Sequence, residues 1–273
     1  MLTSNRGILA ASFFAGIALS AAPASAETVD TAQGDEVAVV DFDRAAEPAP
    51  LGEVNYVAGE SGFEFSGNVA VTSDYRFRGV SLSGGDFALQ GGIDLTHSSG
   101  FYVGTWGSTI DANAGFGELE LDVYGGWSGD VTEGVTFDLG LLYYLYPTED
   151  LGGDTDYFEP YASIGTSLGP VSATVGVAYA WDQNSLGDQD NLYIYTDFEA
   201  GIPDTPLTLT AHAGYTDGVF ATQADGTSFD WGLGASFAVT DSLSLGVNYV
   251  DTQGPSIDDF TDAGFFFTIG YSM

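Results

Sequence analysis

From about Phe63 to Met273 the chain alternates apolar and polar residues almost without a break. Leu207-Thr208-Leu209-Thr210-Ala211-His212-Ala213-Gly214-Tyr215 and Leu243-Ser244-Leu245-Gly246-Val247-Asn248-Tyr249 show the rhythm most clearly. Successive side chains of a strand point to opposite faces, so each segment has one apolar and one polar face. A soluble sandwich uses that pattern once per sheet. About a dozen such segments, each as long as a tilted membrane strand, predict instead an all-β, antiparallel, up-and-down transmembrane barrel. The segments lie near 63–78, 87–97, 101–109, 118–128, 134–146, 157–168, 170–181, 191–201, 206–216, 228–239, 243–251 and 263–273.

The connections alternate in length. Short turns follow the even strands: 98–100, 129–133, 169–170, 203–205 and 240–242. Longer loops follow the odd strands: 79–86, 110–117, 147–156, 182–190, 217–227 and 252–262. Outer-membrane barrels pair short periplasmic turns with longer outer loops and an even strand count. Both termini then face the periplasm. The last strand ends in alternating Phe265, Phe267, Ile269, Tyr271 and Met273. Such an apolar terminal strand resembles the signal read by the barrel-assembly machinery, although an aromatic residue usually stands where Met273 does.

Parity divides the two faces. In most strands the odd positions are apolar: Val69, Val71, Tyr75 and Phe77; Leu119, Leu121 and Val123; Phe229, Trp231, Leu233 and Phe237. The sixth strand shifts to even positions with Phe158, Ala162, Ile164 and Leu168. A basic residue on the lipid face costs about 2–4 kcal/mol at mid-bilayer, so the charged face should line the lumen. That face carries Glu64, Asp74, Arg76, Arg78, Gln90, Asp94, Glu118, Glu120, Asp122, Asp138, Glu159, Asp197, Glu199 and Asp230. Lumen aromatics such as Tyr102, Trp106, Tyr124, Tyr144, Tyr193 and Tyr195 can fill the bore.

The chain before the barrel reads differently. Residues 1–26 carry Arg6, an apolar core from Ile8 to Leu19, and the small-residue site Ala24-Ser25-Ala26. This predicts a secretory signal peptide cleaved after Ala26. The apolar run is short for a membrane span. Residues 27–62, rich in Ala, Asp, Glu and Pro over most of their length, predict an acidic, disordered periplasmic linker. Val37 to Val40 is the one stretch there that suits a short partner contact.

Charge sharpens the picture. Four Lys and Arg stand against 39 Asp and Glu, for a net charge of −35, and there is no lysine. Nucleic acid and anionic headgroups are repelled by such a chain. A salt-adapted source and a cation-preferring pore both account for the acidity. The absence of cysteine removes disulfides, thiol nucleophiles and thiolate metal sites. Arg76 and Arg78 are two of the three arginines left after cleavage. They either neutralise wall carboxylates or form a charged constriction that sets a transverse field.

Around these arginines, 67–81 (Gly-Asn-Val-Ala-Val-Thr-Ser-Asp-Tyr-Arg-Phe-Arg-Gly-Val-Ser) resembles the opening signature of the TorF family of porins. The resemblance continues through 88–94, 99–108, 120–126 and 143–147 and covers roughly 63–273. It implies an outer-membrane porin and adds little about the solute. The acidic segment before Phe63 is not part of the pattern.

Other chemistries find little support. Of the two histidines, His97 has lipid-side parity beside a turn and His212 has lumen parity. Neither is tied to a serine by a hydrolase motif. No cofactor motif is present, and Gly232-Leu233-Gly234 is followed by no helix, so it is not a phosphate loop. The expected outer loops are rich in carboxylates: Glu149, Asp150, Asp154 and Asp156; Asp182, Asp188 and Asp190; Asp258, Asp259 and Asp262. A solvated surface is the default there, and divalent cations can bridge such groups to lipopolysaccharide. No EF-hand spacing occurs. The expectation is a non-enzymatic diffusion pore for small cationic or neutral solutes. The rival is a closed structural or adhesive barrel whose outer loops bind a partner.

Overall fold

The computed structural model describes residues 62–112, 115–149 and 155–273. The expected signal segment, the expected linker apart from Gly62, and Asp150 and Asp154 lie outside the described residues.

Twelve antiparallel strands close into a barrel. They are β1 (Phe63–Thr72), β4 (Ala88–His97), β5 (Phe101–Thr109), β6 (Leu119–Thr132), β7 (Val135–Leu145), β8 (Tyr157–Leu168), β9 (Val171–Gln183), β10 (Gln189–Gly201), β11 (Leu207–Gly218), β12 (Thr227–Ala238), β13 (Leu243–Thr252) and β14 (Gly264–Ser272). Two further strands, β2 (Arg76–Phe77) and β3 (Val80–Ser81), form a small separate hairpin. Each barrel strand pairs with its neighbours in sequence, and β14 returns to β1 with Val69 opposite Tyr271 and Thr72 opposite Thr268. Closure leaves no unpaired edge, as a strand protein in lipid requires. Short turns gather at one end of the barrel, and the connections at the other are longer except between β9 and β10.

The alternation in sequence becomes two faces. Leu233, Phe267 and Ile269 stay more than half exposed on the outside. Near the long-loop end, outward aromatic rings lie against each other: Tyr143 on Phe158 at 4.2 Å, Trp231 on Tyr249 at 5.4 Å and Tyr249 on Phe265 at 4.9 Å. Amphipathic rings at one level suit a membrane interface. Inside, large rings lie over glycines. Tyr161 is in register with Gly140 and Tyr195 with Gly176. A Cβ on either glycine would overlap the opposing tyrosine ring. The missing side chains let tyrosines lie flat against the wall, so a bore of this size is lined by rings.

The structure corrects the sequence expectation at the first strand. That strand ends at Thr72 rather than continuing to residue 78. Residues 73–87 turn into the barrel. Tyr75 and Phe77, expected on the lipid face, are 0% and 2% exposed. Asp74, Arg76 and Arg78 therefore sit on this inward segment and not on a barrel strand. Two smaller corrections follow. Glu118 is exposed just before β6, and Glu64 is exposed at the start of β1. β9 and β10 also run further than expected and leave only 184–188 between them, including a single 3-10 turn at Asn184–Leu186.

Candidate functional site

The lumen is occupied by the inward segment. Arg76 pairs with Ser81 and Phe77 with Val80, which leaves Arg78 and Gly79 as a two-residue turn. Both have positive φ, 48° and 80°. This is the backbone of a tight hairpin turn, and glycine supplies one of its two positions at little cost. A side chain at Gly79 would also overlap Thr252 of β13.

Asp74 organises the base of the hairpin. Its carboxylate accepts from Ser81 Oγ at 2.5 Å, Ser83 Oγ at 3.2 Å and Arg76 Nε at 2.5 Å. Arg76 Nη1 also donates to the Asp262 carbonyl at 2.6 Å. Backbone bonds tie the segment to its neighbours: Ser81 N donates to Phe260 O, and Asp111 N donates to Leu82 O, both at 2.8 Å. The hairpin is thus fastened to two other long loops.

Two side chains of the segment reach the barrel wall. Tyr75 donates its hydroxyl to Glu120 of β6 at 2.7 Å, and Tyr146 donates to the other Glu120 oxygen at 3.2 Å. Arg78 Nη2 lies 2.9 and 3.0 Å from the two oxygens of Glu159 on β8. The Arg78 guanidinium carbon lies 4.1 Å from the ring centre of Tyr193 on β10. Glu159 also accepts from Tyr144 at 3.3 Å. Buried charges need such partners, and tyrosine hydroxyls supply most of them in this lysine-free chain.

A second cluster lies beside the first. His212 of β11 sits between Asp197, 2.6 Å from Nδ1, and Asp230, 3.0 Å from Nε2. Tyr193 donates to Asp230 at 3.0 Å, so this ring belongs to both clusters. Further along the wall, Tyr102 donates to Asp138 at 2.9 Å, and Tyr124 donates to Asp94. Asp122 is buried two residues from Glu120, with its Oδ1 unpartnered. Glu199 is half-buried on β10.

Side-chain exposure varies within the lumen. Around the hairpin, Tyr75, Glu120, Tyr144, Tyr157 and Glu159 are all 0% exposed. Towards the short-turn end, His212 and Asp197 retain 22% and 19% side-chain exposure.

Among the expected lumen residues, the structure places Asp94, Glu120, Asp122, Asp138, Glu159, Asp197, Glu199 and Asp230 on the inner wall. Asp74, Arg76 and Arg78 come to the lumen on the hairpin. The sequence reading missed Ser81, Ser83 and the inward role of Tyr75. The turn-forming Arg78-Gly79 pair and Gly84-Gly85 were the available signal. Among the described residues, no group of three or more His, Asp or Glu can hold a metal ion.

Residues 57–271 match the profile of a family described as "Bacterial protein of unknown function (Gcw_chp)". The chain belongs to this family. No curated protein matches it. Among solved structures, the NanC porin is similar at TM-score 0.52 and 11% identity, over 77% of this chain and 99% of that one. The KdgM porin is similar at TM-score 0.52 and 8% identity, over 76% and 97%. At these identities the likeness is one of fold. It gives this Gcw_chp chain the architecture of outer-membrane porins.

Proposed function

We propose that the protein is a porin-like channel of the bacterial outer membrane, passing small cationic or neutral solutes by diffusion, with its bore narrowed by the 73–87 hairpin. One observation carries the reading: an apolar exterior surrounds an inner wall of carboxylates. Ionisable groups facing inward in a membrane protein commonly mark a path for water and solute. The resemblance to TorF porins and the porin-like fold point the same way. No enzymatic step is part of this reading.

The long loops then face outward and both termini face the periplasm. The signal peptide directs export, the acidic linker stays in the periplasm, and the barrel-assembly machinery reads the terminal strand. Lipid surrounds the outer face. The outer-loop carboxylates are solvated, where divalent cations can bridge them to lipopolysaccharide.

A closed structural or adhesive barrel is the second reading, favoured by the complete burial of Tyr75, Tyr144 and Tyr157 across the bore. The deciding experiment places the folded protein in a planar bilayer beside a variant whose residues 76–81 are replaced by a short Gly-Ser turn. A channel gives small current steps that grow when the hairpin is trimmed. No current from either folded protein leaves the closed barrel.

A further inference from the structure

The hairpin presents a cation to a ready-made pocket of the wall. Only one of the three guanidinium nitrogens of Arg78 makes a hydrogen bond, Nη2 to both oxygens of Glu159 at 2.9 and 3.0 Å. Nε and Nη1 are buried without a partner. The rest of the grip is aromatic, with the guanidinium carbon 4.1 Å from the ring centre of Tyr193 and 5.7 Å from that of Phe220. A structural arginine normally meets a carboxylate fork to fork. Here one carboxylate and ring faces hold the charge, which is how proteins receive a mobile organic cation.

The pocket does not depend on Arg78 for its shape. Tyr144 donates to Glu159 from the wall at 3.3 Å. The Tyr193 hydroxyl is fixed by Asp230 at 3.0 Å. Arg78, by contrast, is held at a cost. Its φ of 48° is one that side chains other than glycine rarely adopt. Its two idle donors are taken out of water with nothing in return. Glu159 is fully buried, so when Arg78 leaves it must take up either a proton or another cation. An occupant held at a cost, in a pocket whose carboxylate and ring face suit a cation, is one that another cation can displace.

We propose that the Glu159–Tyr193 pocket recognises the guanidinium head of a permeating organic cation, and that Arg78 is an internal stand-in which such a solute displaces. Permeation of that cation rests on the channel reading; the pocket itself does not. Displacement removes the tip of the hairpin from the wall, so entry of the solute loosens the plug that blocks it.

The test uses the full-length protein folded in detergent, as wild type, Arg78→Ala and Arg78→Ala/Glu159→Gln. Methylguanidinium chloride is the probe. Urea, its neutral analogue, and NaCl are the controls at equal concentration. Methylguanidinium in the millimolar range should raise the unfolding midpoint of Arg78→Ala saturably, while both controls leave it unchanged. The wild type should respond weakly because Arg78 fills the pocket, and the double variant should not respond. If Arg78→Ala does not fold, Arg78→Gln keeps the stem without the charge. Folding of either variant that requires methylguanidinium also supports the pocket. A response to methylguanidinium no larger than to NaCl, or one that survives Glu159→Gln, overturns it. Bilayer currents separate the two claims. A methylguanidinium response without current keeps the pocket and removes the channel, and current without the response does the reverse.

Discussion

Asp197 on β10 and His212 on β11 face each other in register, with Oδ1 and Nδ1 2.6 Å apart. The other ring nitrogen of His212 meets Asp230 at 3.0 Å. A neutral imidazole has one N–H and cannot donate to both carboxylates, whereas an imidazolium can. The Tyr193 hydroxyl also lies 2.8 Å from Nε2, so the ring is held from three sides of the lumen wall. His212→Ala leaves Asp197 and Asp230 without the ring between them and should cost about 1–3 kcal/mol of stability. His212→Gln, which keeps a donor, should cost less. Urea unfolding of the detergent-folded protein measures both.

The rings that line the bore depend on missing side chains opposite. Gly176→Ala places a methyl group into the Tyr195 ring and should cost about 1–3 kcal/mol through overpacking. Gly201→Ala, at the end of β10 with nothing within 4 Å of the new atom, should change stability by less than about 0.5 kcal/mol. Pairing Gly176→Ala with Tyr195→Ala should cost less than the two single changes added together, because the clash disappears with the ring. The same urea midpoints check all three.

This ring-on-glycine packing also shows what was legible beforehand. A period of two in the sequence is a direct image of a strand with two different surroundings. The seventh barrel element, β9, and most others were recognisable for that reason, and segments 101–109 and 157–168 were bounded as observed. The shift to even positions in β8 survived into Phe158 and Ile164 on the outside and Glu159 on the inside. Parity failed at residues 73–87. Tyr75 and Phe77 continue the odd-numbered apolar rhythm of Val69 and Val71, and an apolar side chain is equally at home against lipid or inside a packed plug. Alternation reports that a residue leaves water without reporting where it goes. The partnerships across the bore were out of reach for another reason. Arg78 and Glu159 are 81 positions apart, and their meeting depends on the hairpin turning inward.

The hairpin should loosen when its hydroxyl anchor is removed. Tyr75→Phe takes away the 2.7 Å bond to Glu120, leaving that buried carboxylate with the Tyr146 contact. The expected loss is about 1–3 kcal/mol, since a buried charged acceptor loses a donor while the ring packing stays. Protease cleavage between residues 73 and 87, followed by mass spectrometry of detergent-folded protein, should become faster in the variant. Cleavage unchanged from wild type would show that Glu120 does not anchor the hairpin.

The outer face makes a prediction that depends on depth. Leu233 is 55% exposed near the middle of β12, and Val239 is 45% exposed beyond its short-turn end. Leu233→Arg should cost about 2–4 kcal/mol in a lipid bilayer, and Val239→Arg about 0–1 kcal/mol. Folding titrations into phosphatidylcholine vesicles distinguish them. Equal costs would place the hydrocarbon band elsewhere on the barrel.

The reversal potential of the bilayer-inserted protein under a KCl gradient tests the channel account most directly. A lumen wall of carboxylates, without lysine, predicts a potential of the sign set by potassium permeation. It should grow as the mean salt concentration is lowered and screening weakens. A potential of the opposite sign, or no current at all from protein shown to be folded, would contradict the account.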